Sequence, residues 1–163
     1  MASDAPHRHL FDSPELGEVV VDADVLQARV AELGAEITRD YEGRAPLLIG
    51  VLKGAMMFMT DLARSIALPV EIDFMAVSSY GNATRTSGVV RIVKDLDQDM
   101  SGRHVILVDD IIDSGLTLQY LVNLFLARQP ASVKTVCLLD KSGRRKCEIG
   151  ADYCGFVIPD RFV

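Results

Sequence analysis

No run of apolar residues in this 163-residue chain reaches the roughly 18 needed to cross a bilayer. The opening stretch, Met1 to Phe11, has no apolar signal core. Neither a membrane span nor a membrane partner is expected. Cysteine is scarce: Cys137, Cys147 and Cys154 form an odd set without CxxC spacing. That pattern excludes a disulfide framework and reads as reduced thiols in a cytoplasmic protein, with Cys137 in an apolar run and so in the core. Basic excess is missing too. Lys and Arg number 17 against 23 Asp and Glu, for a net charge of −6 and a pI near 5.0. A polymeric nucleic-acid partner would want a basic face, so none is expected. A phosphorylated small molecule is still compatible, because local cations can offset the average. Repeats, low-complexity tracts and linkers are also lacking, and 163 residues fit one domain, 1–163, with one core. Apolar residues at 49% with charged ones at 25% make that domain globular. His7 and His9 are spaced as a weak metal pair, but a solvated tail is the favoured reading, and residues 1–15 read as a flexible arm.

What is present is concentrated in Val105-Ile106-Leu107-Val108-Asp109-Asp110-Ile111-Ile112-Asp113-Ser114-Gly115-Leu116-Thr117. Four branched apolar residues mark a parallel strand buried on both faces. Asp109 and Asp110 stand where that strand is expected to end. A loop with a third acid follows, and then Leu118, Leu121, Val122 and Phe125 recur at helical spacing until Pro130. Ligands of open α/β sheets bind at such strand ends. Helix N-terminal N–H groups, Ser and Thr hydroxyls and one Gly make a phosphate cradle of Asp113, Ser114, Gly115, Leu116 and Thr117. It is not a Walker loop, because no Lys follows the Gly. The Asp109–Asp110 pair suits ribose hydroxyls, a Mg²⁺ ion or both. A solvated acidic turn is the plain alternative, but three Asp within five residues repel one another without a ligand or cation.

The rest of the chain repeats the strand–loop–helix theme. An extended piece at Glu18–Val21 precedes a helix capped by Asp22 or Asp24, with Leu26, Val30, Leu33, Ile37 and Tyr41 as one stripe and Gly43 as the stop. Leu47–Leu52 is a buried strand, Lys53-Gly54 its end, and Ala55, Phe58, Met59, Leu62, Ala63 and Ile66 the next helix face. Val70, Ile72, Phe74 and Ala76 alternate with Glu71 and Asp73, which puts the apolar set on one face. Val89–Val93 is a further strand. Between them, Ser79–Gly88 is polar and carries Tyr80 and Arg85, a candidate lid. Val133–Leu139 is another buried strand. It leads through Asp140-Lys141 to the basic loop Ser142–Lys146, and Gly155–Ile158 is a last strand. Alternation of this kind predicts a doubly wound, mainly parallel α/β sheet. Lys53-Gly54, Asp109–Thr117 and Lys141–Arg145 then share one edge, so cations surround an acidic phosphate cradle.

The Val105–Thr117 stretch resembles the ribose-phosphate signature of type I phosphoribosyltransferases. Leu52-Lys53-Gly54, Ser79-Tyr80, Leu139–Arg145 and Ile158-Pro159-Asp160-Arg161-Phe162-Val163 are similar to pieces of the 6-oxopurine branch, and the likeness covers about residues 15–163. The resemblance implies the type I fold with a β-hairpin lid and a small C-terminal hood, and purine salvage. The 5-phosphoribosyl group of phosphoribosyl pyrophosphate would pass to hypoxanthine or guanine, giving IMP or GMP and diphosphate, with Mg²⁺. It further implies Asp113 as general base near N7, and Ser114, Gly115, Leu116 and Thr117 on the 5′-phosphate. Asp109 and Asp110 would meet ribose and Mg²⁺; Lys53, Gly54 and Arg145 would meet the diphosphate. Ser79 and Tyr80 would ride on the lid. Lys141 would donate to the 6-oxo group, Phe162 would stack on the base, and the Val163 carbonyl would accept from a guanine amino group. The Leu52–Lys53 peptide is expected to be cis, and the assembly a homodimer or homotetramer.

Two departures stand out. Asp109 occupies a position more often Glu in this branch. The family continues past the equivalent of Val163 with a Gly-Tyr-Gly-Leu-Asp-Tyr-like segment whose Asp binds a second Mg²⁺, so a C-terminal tail is expected beyond Val163. The competing readings are an RNA-binding attenuator on the same scaffold, which the net charge disfavours, and a xanthine-preferring enzyme.

Overall fold

A computed structural model describes residues 17–80, 89–160 and 163. The chain runs α1 (Ala23–Asp40), β1 (Leu47–Leu52), α2 (Ala55–Ser65), β2 (Glu71–Tyr80), β3 (Val89–Lys94), β4 (His104–Ile112), α3 (Leu116–Leu126), β5 (Ser132–Asp140), a 3₁₀ turn (Ser142–Arg144) and β6 (Tyr153–Val157). The six strands form one sheet in the order β3-β2-β1-β4-β5-β6. Every pairing is parallel except β2 with β3.

Period-two alternation divides the core. From β4, Ile106 and Val108 face a layer with α1 and α2, where Val30, Leu33, Phe58 and Leu62 are buried. Val105 and Leu107 face the other layer, with Leu118, Leu121 and Phe125 of α3. Strands covered on both faces have no room for a polar side, which is why β1 and β4 read as continuous apolar runs. Burying a side chain such as Leu121 or Phe125 contributes about 1.5–3 kcal/mol each. Asp22 caps α1 by accepting from the Asp24 N–H at 3.1 Å, and Gly43 takes a positive φ just past its end.

The Glu18–Val21 piece lies outside the sheet and leads through the Asp22 cap into α1. Two expectations shift. In β2 the apolar alternation does not set burial. Ile72 is 43% exposed and Asp73 is buried, because Asp73 Oδ2 accepts from the N–H groups of Asp97 and Gln98, both at 2.9 Å. A carboxylate that ties down two otherwise unpaired loop donors is favourable inside. Finally, β4 does not end at the acids. Ile111 and Ile112 extend it, paired with Leu139 and Asp140 of β5, so Asp109 and Asp110 lie inside the strand.

The strand order reverses direction between β1 and β4, and a crevice opens at their C-terminal ends, where such sheets place ligands. β2 and β3 form the expected antiparallel ribbon, with Ser79 opposite Val90 and Tyr80 opposite Val89. The rest of the candidate lid, residues 81–88, lies outside the described residues. β6 extends the main sheet, leaving the hood to the loop 141–152 and the turn after Ile158.

Candidate active site

The C-terminal ends of β1, β4 and β5 lie side by side, and each delivers one of the three polar segments. A cleft of about 270 Å³ at this edge is lined by Asp109, Asp113, Ser114, Gly115 and Thr117 among others, with Val51 and Val77 as apolar wall. The loop from Asp113 to Thr117 is therefore brought together with the first acid of the pair.

Gly115 is the N-cap of α3 at φ 82°, a conformation that favours glycine. It is also packed from behind: a Cβ there would stand 2.9 Å from Cys147 Sγ and 3.0 Å from Arg145 Cδ. Both demands exclude a side chain and keep the loop tight against the basic segment. The Lys146 N–H donates to the Ser114 carbonyl at 2.8 Å, and the Lys141 N–H to the Ile112 carbonyl at 2.9 Å. The Leu116 N–H leans on Ser114 Oγ at 3.4 Å, and the other first-turn N–H groups of α3, which have no intrahelical acceptor, are suited to an anion.

The acids occupy different surroundings. Burial, with Asp110 next in line, pushes the Asp109 carboxyl up to about 8. Asp109 Oδ1 accepts from the Asp110 N–H at 3.0 Å, and Asp110 Oδ1 from the Ile111 N–H at 2.9 Å. The Asp110 carboxylate lies against Gly54, where a Cβ would come within 2.9 Å of Oδ1, so the Lys53-Gly54 turn passes directly over it. The Leu52–Lys53 peptide is cis, as expected, and Lys53 is exposed. No group of three or more His, Cys, Asp or Glu suited to a metal ion occurs among the described residues. Two adjacent carboxylates fit the way Mg²⁺ is held when substrate phosphates and water complete its octahedron. An acid that resists ionisation beside another acid is also the setting in which a cation is favoured.

Lys141 is buried, only 7% exposed, and not the solvated surface lysine that its position alone suggests. A lysine is rarely buried without a task or a partner. Arg145 is less free than expected. Its guanidinium is paired with Asp140, both side chains being mostly buried, while Nη1 has no partner among the described residues. Arg144 reaches Asp113, which is exposed, at 3.4 Å. Val163 is exposed, and Phe162 lies outside the described residues.

Sequence reasoning missed two participants. Asp140 precedes the buried lysine and holds Arg145, and Arg144 is a partner of Asp113. The only signal was the Asp-Lys pair at a strand end followed by two Arg, and nothing in that order said which cation would face which acid.

The sequence matches the phosphoribosyl transferase domain over residues 21–163. A hypoxanthine-guanine phosphoribosyltransferase of Bacillus subtilis (strain 168) is 52% identical over 149 residues, 91% of this chain and 83% of that one. A bifunctional protein TilS/HprT of Listeria monocytogenes (serotype 4b, strain F2365) is 54% identical over 149 residues, but the chain spans only 23% of that relative's length. Among solved structures, a hypoxanthine-guanine phosphoribosyltransferase of Bacillus anthracis aligns with a TM-score of 0.86 at 46% identity, covering 90% of this chain and 86% of that one.

Proposed function

The chain belongs to the phosphoribosyltransferase family, in its hypoxanthine-guanine group, and from that premise we propose that it transfers the 5-phosphoribosyl group of phosphoribosyl pyrophosphate to hypoxanthine or guanine. The products are IMP or GMP and diphosphate. The observation that carries this reading is a buried lysine at the end of β5 beside an acid pair and a phosphate loop at the end of β4. A lysine there is suited to a carbonyl oxygen, the acid pair to ribose hydroxyls, and the helix N-terminus to a monophosphate.

In this reading the 5′-phosphate sits on the loop from Asp113 to Thr117. Asp109 and Asp110 hold the ribose hydroxyls and Mg²⁺, which when bound offsets the charge of the diphosphate. The diphosphate lies over Lys53 and Gly54, with Arg145 as a further cation. The C1–oxygen bond to diphosphate breaks with its electron pair, and the purine nitrogen forms the new bond to C1. Asp113, exposed beside the loop, takes the ring proton. Lys141 donates to the 6-oxo group, Phe162 stacks on the base and the Val163 carbonyl accepts from a 2-amino group. Ser79 and Tyr80 lead into a lid that keeps water from the sugar cation. The domain acts as a unit in the cytoplasm, where its three free cysteines stay reduced. It assembles as a homodimer or homotetramer, with Met56 and Met57 exposed on α2 as an apolar face to cover.

The test is a spectrophotometric assay with phosphoribosyl pyrophosphate, Mg²⁺ and hypoxanthine, guanine, xanthine, adenine or uracil. Turnover of hypoxanthine or guanine is expected. Preference for adenine or uracil, or no turnover with any base, would overturn the assignment.

A further inference from the structure

Arg144 lies in the 3₁₀ turn after β5, and its guanidinium touches acids from two other segments. Nη1 is 3.4 Å from Asp113 Oδ2, on the loop after β4, and Nε is 3.3 Å from Asp160 Oδ2, on the turn after β6. All three side chains are about half exposed. The backbone already fastens these segments together without it. The Lys141 N–H donates to Ile112, the Lys146 N–H to Ser114, and the Ile158 N–H to the Asp140 carbonyl at 2.9 Å. An exposed ion pair adds little to stability. The guanidinium is therefore not needed to build the fold, but a planar fork with one carboxylate on each side fixes how those two carboxylates point.

We propose that Arg144 is a positioning residue that couples the purine pocket to proton removal, orienting the Asp113 carboxylate and tying to it the Asp160 turn that leads into Phe162 and Val163. This rests on the reading of Asp113 as general base and of Phe162 and Val163 as base contacts. Purine binding at the turn then sets the acceptor for the purine's own proton. Within the loop the guanidinium meets only Asp113; Ser114 to Thr117 and the Asp109–Asp110 pair make no contact with it among those described, so the ribose-diphosphate side is left alone.

Steady-state kinetics of R144A, R144K, D160N, R144A/D160N and D113N, each with a thermal unfolding midpoint, test it. R144A is expected to raise the purine KM roughly three- to fivefold, the scale of an exposed pair. It is also expected to lower kcat while leaving the KM for phosphoribosyl pyrophosphate and the midpoint unchanged. D160N should reproduce the KM effect, the double variant should be no worse than R144A, and R144K should restore most of it. Unchanged purine KM and kcat in R144A, with D113N inactive, would overturn the coupling and leave the general-base reading standing. Additive effects in the double variant, or a fall in midpoint with both KM values raised, would reduce Arg144 to a structural brace. A fully active D113N would instead overturn the general-base reading itself.

Discussion

At the N-terminal ends of the strands polar groups are paired with one another, whereas at the C-terminal ends of the same strands they keep capacity to spare. Arg103 grips Glu71 with two hydrogen bonds, at 2.8 and 3.2 Å. Asp152 takes Lys134 at 2.8 Å, the Thr135 N–H at 2.8 Å and the Thr135 hydroxyl at 3.1 Å. Tyr153 donates to Asp40 at 2.8 Å, and His104 shares a hydrogen bond with Ser132 at 2.8 Å. At the other edge burial and the neighbouring Asp110 push the Asp109 carboxyl up to about 8, Lys141 is buried and Arg145 Nη1 lacks an acceptor among the described residues. One edge closes the fold. The other pairs Arg144 and Arg145 with acids but leaves a buried guanidinium nitrogen without an acceptor among the described residues and a carboxyl that resists ionisation, a setting in which a ligand can gain by binding.

Substitutions at the two edges should therefore separate activity from stability. The largest effect is expected from Asp113→Ala, a fall in kcat of about 100- to 1,000-fold with phosphoribosyl pyrophosphate affinity nearly kept. Single-turnover rates and equilibrium titration of that substrate measure the two parts. Lys141→Ala should raise the KM for 6-oxopurines about tenfold or more, the scale of a charged hydrogen bond lost, with an unfolding midpoint that does not fall. A large drop in stability would mean that Lys141 belongs to the fold and not to the site.

The paired edge should respond the opposite way. Asp152→Ala leaves a buried Thr135 N–H without its acceptor and should cost about 1–2 kcal/mol in urea unfolding, with KM and kcat unchanged. The smallest effect is a matter of pH. Asp109 has its folded-state value raised from 3.8 to about 8, so the native chain holds a proton that the unfolded chain has released. Native stability in metal-free buffer should thus fall as pH rises from about 4 to about 8. Asp109→Asn should flatten that slope and gain on the order of 1 kcal/mol at pH 8.5, since water in the open cleft offsets part of the cost. A steeper slope in the variant would contradict the electrostatic picture of the active edge.

Much of this was legible in residue order. The apolar runs of β1 and β4, the stripes of α1 and α3 and the turn at Gly115 that starts α3 are local patterns, and each formed where the spacing put it. The shared edge followed from alternation alone, because parallel strands joined by helices must bring their C-terminal ends to one side. The register of β2 was not legible. Asp73 goes inside to serve Asp97 and Gln98, and a partner 24 residues away leaves no mark on the local period. The full length of β4 was hidden for the same reason, since Ile111 and Ile112 stay in the strand through their pairing with β5.

By itself, then, the sequence determined the order of strands and helices, the layers they bury and the kind of chemistry each loop can offer, because these depend on side-chain period and on residue type. Only the tertiary structure decided which charges meet. That Arg145 turns to Asp140 and Arg144 to Asp113 and Asp160, that Lys141 is enclosed, and that Asp110 lies under Gly54 are outcomes of packing. Coulomb energy and desolvation depend on separations across space, and separation along the chain does not encode them.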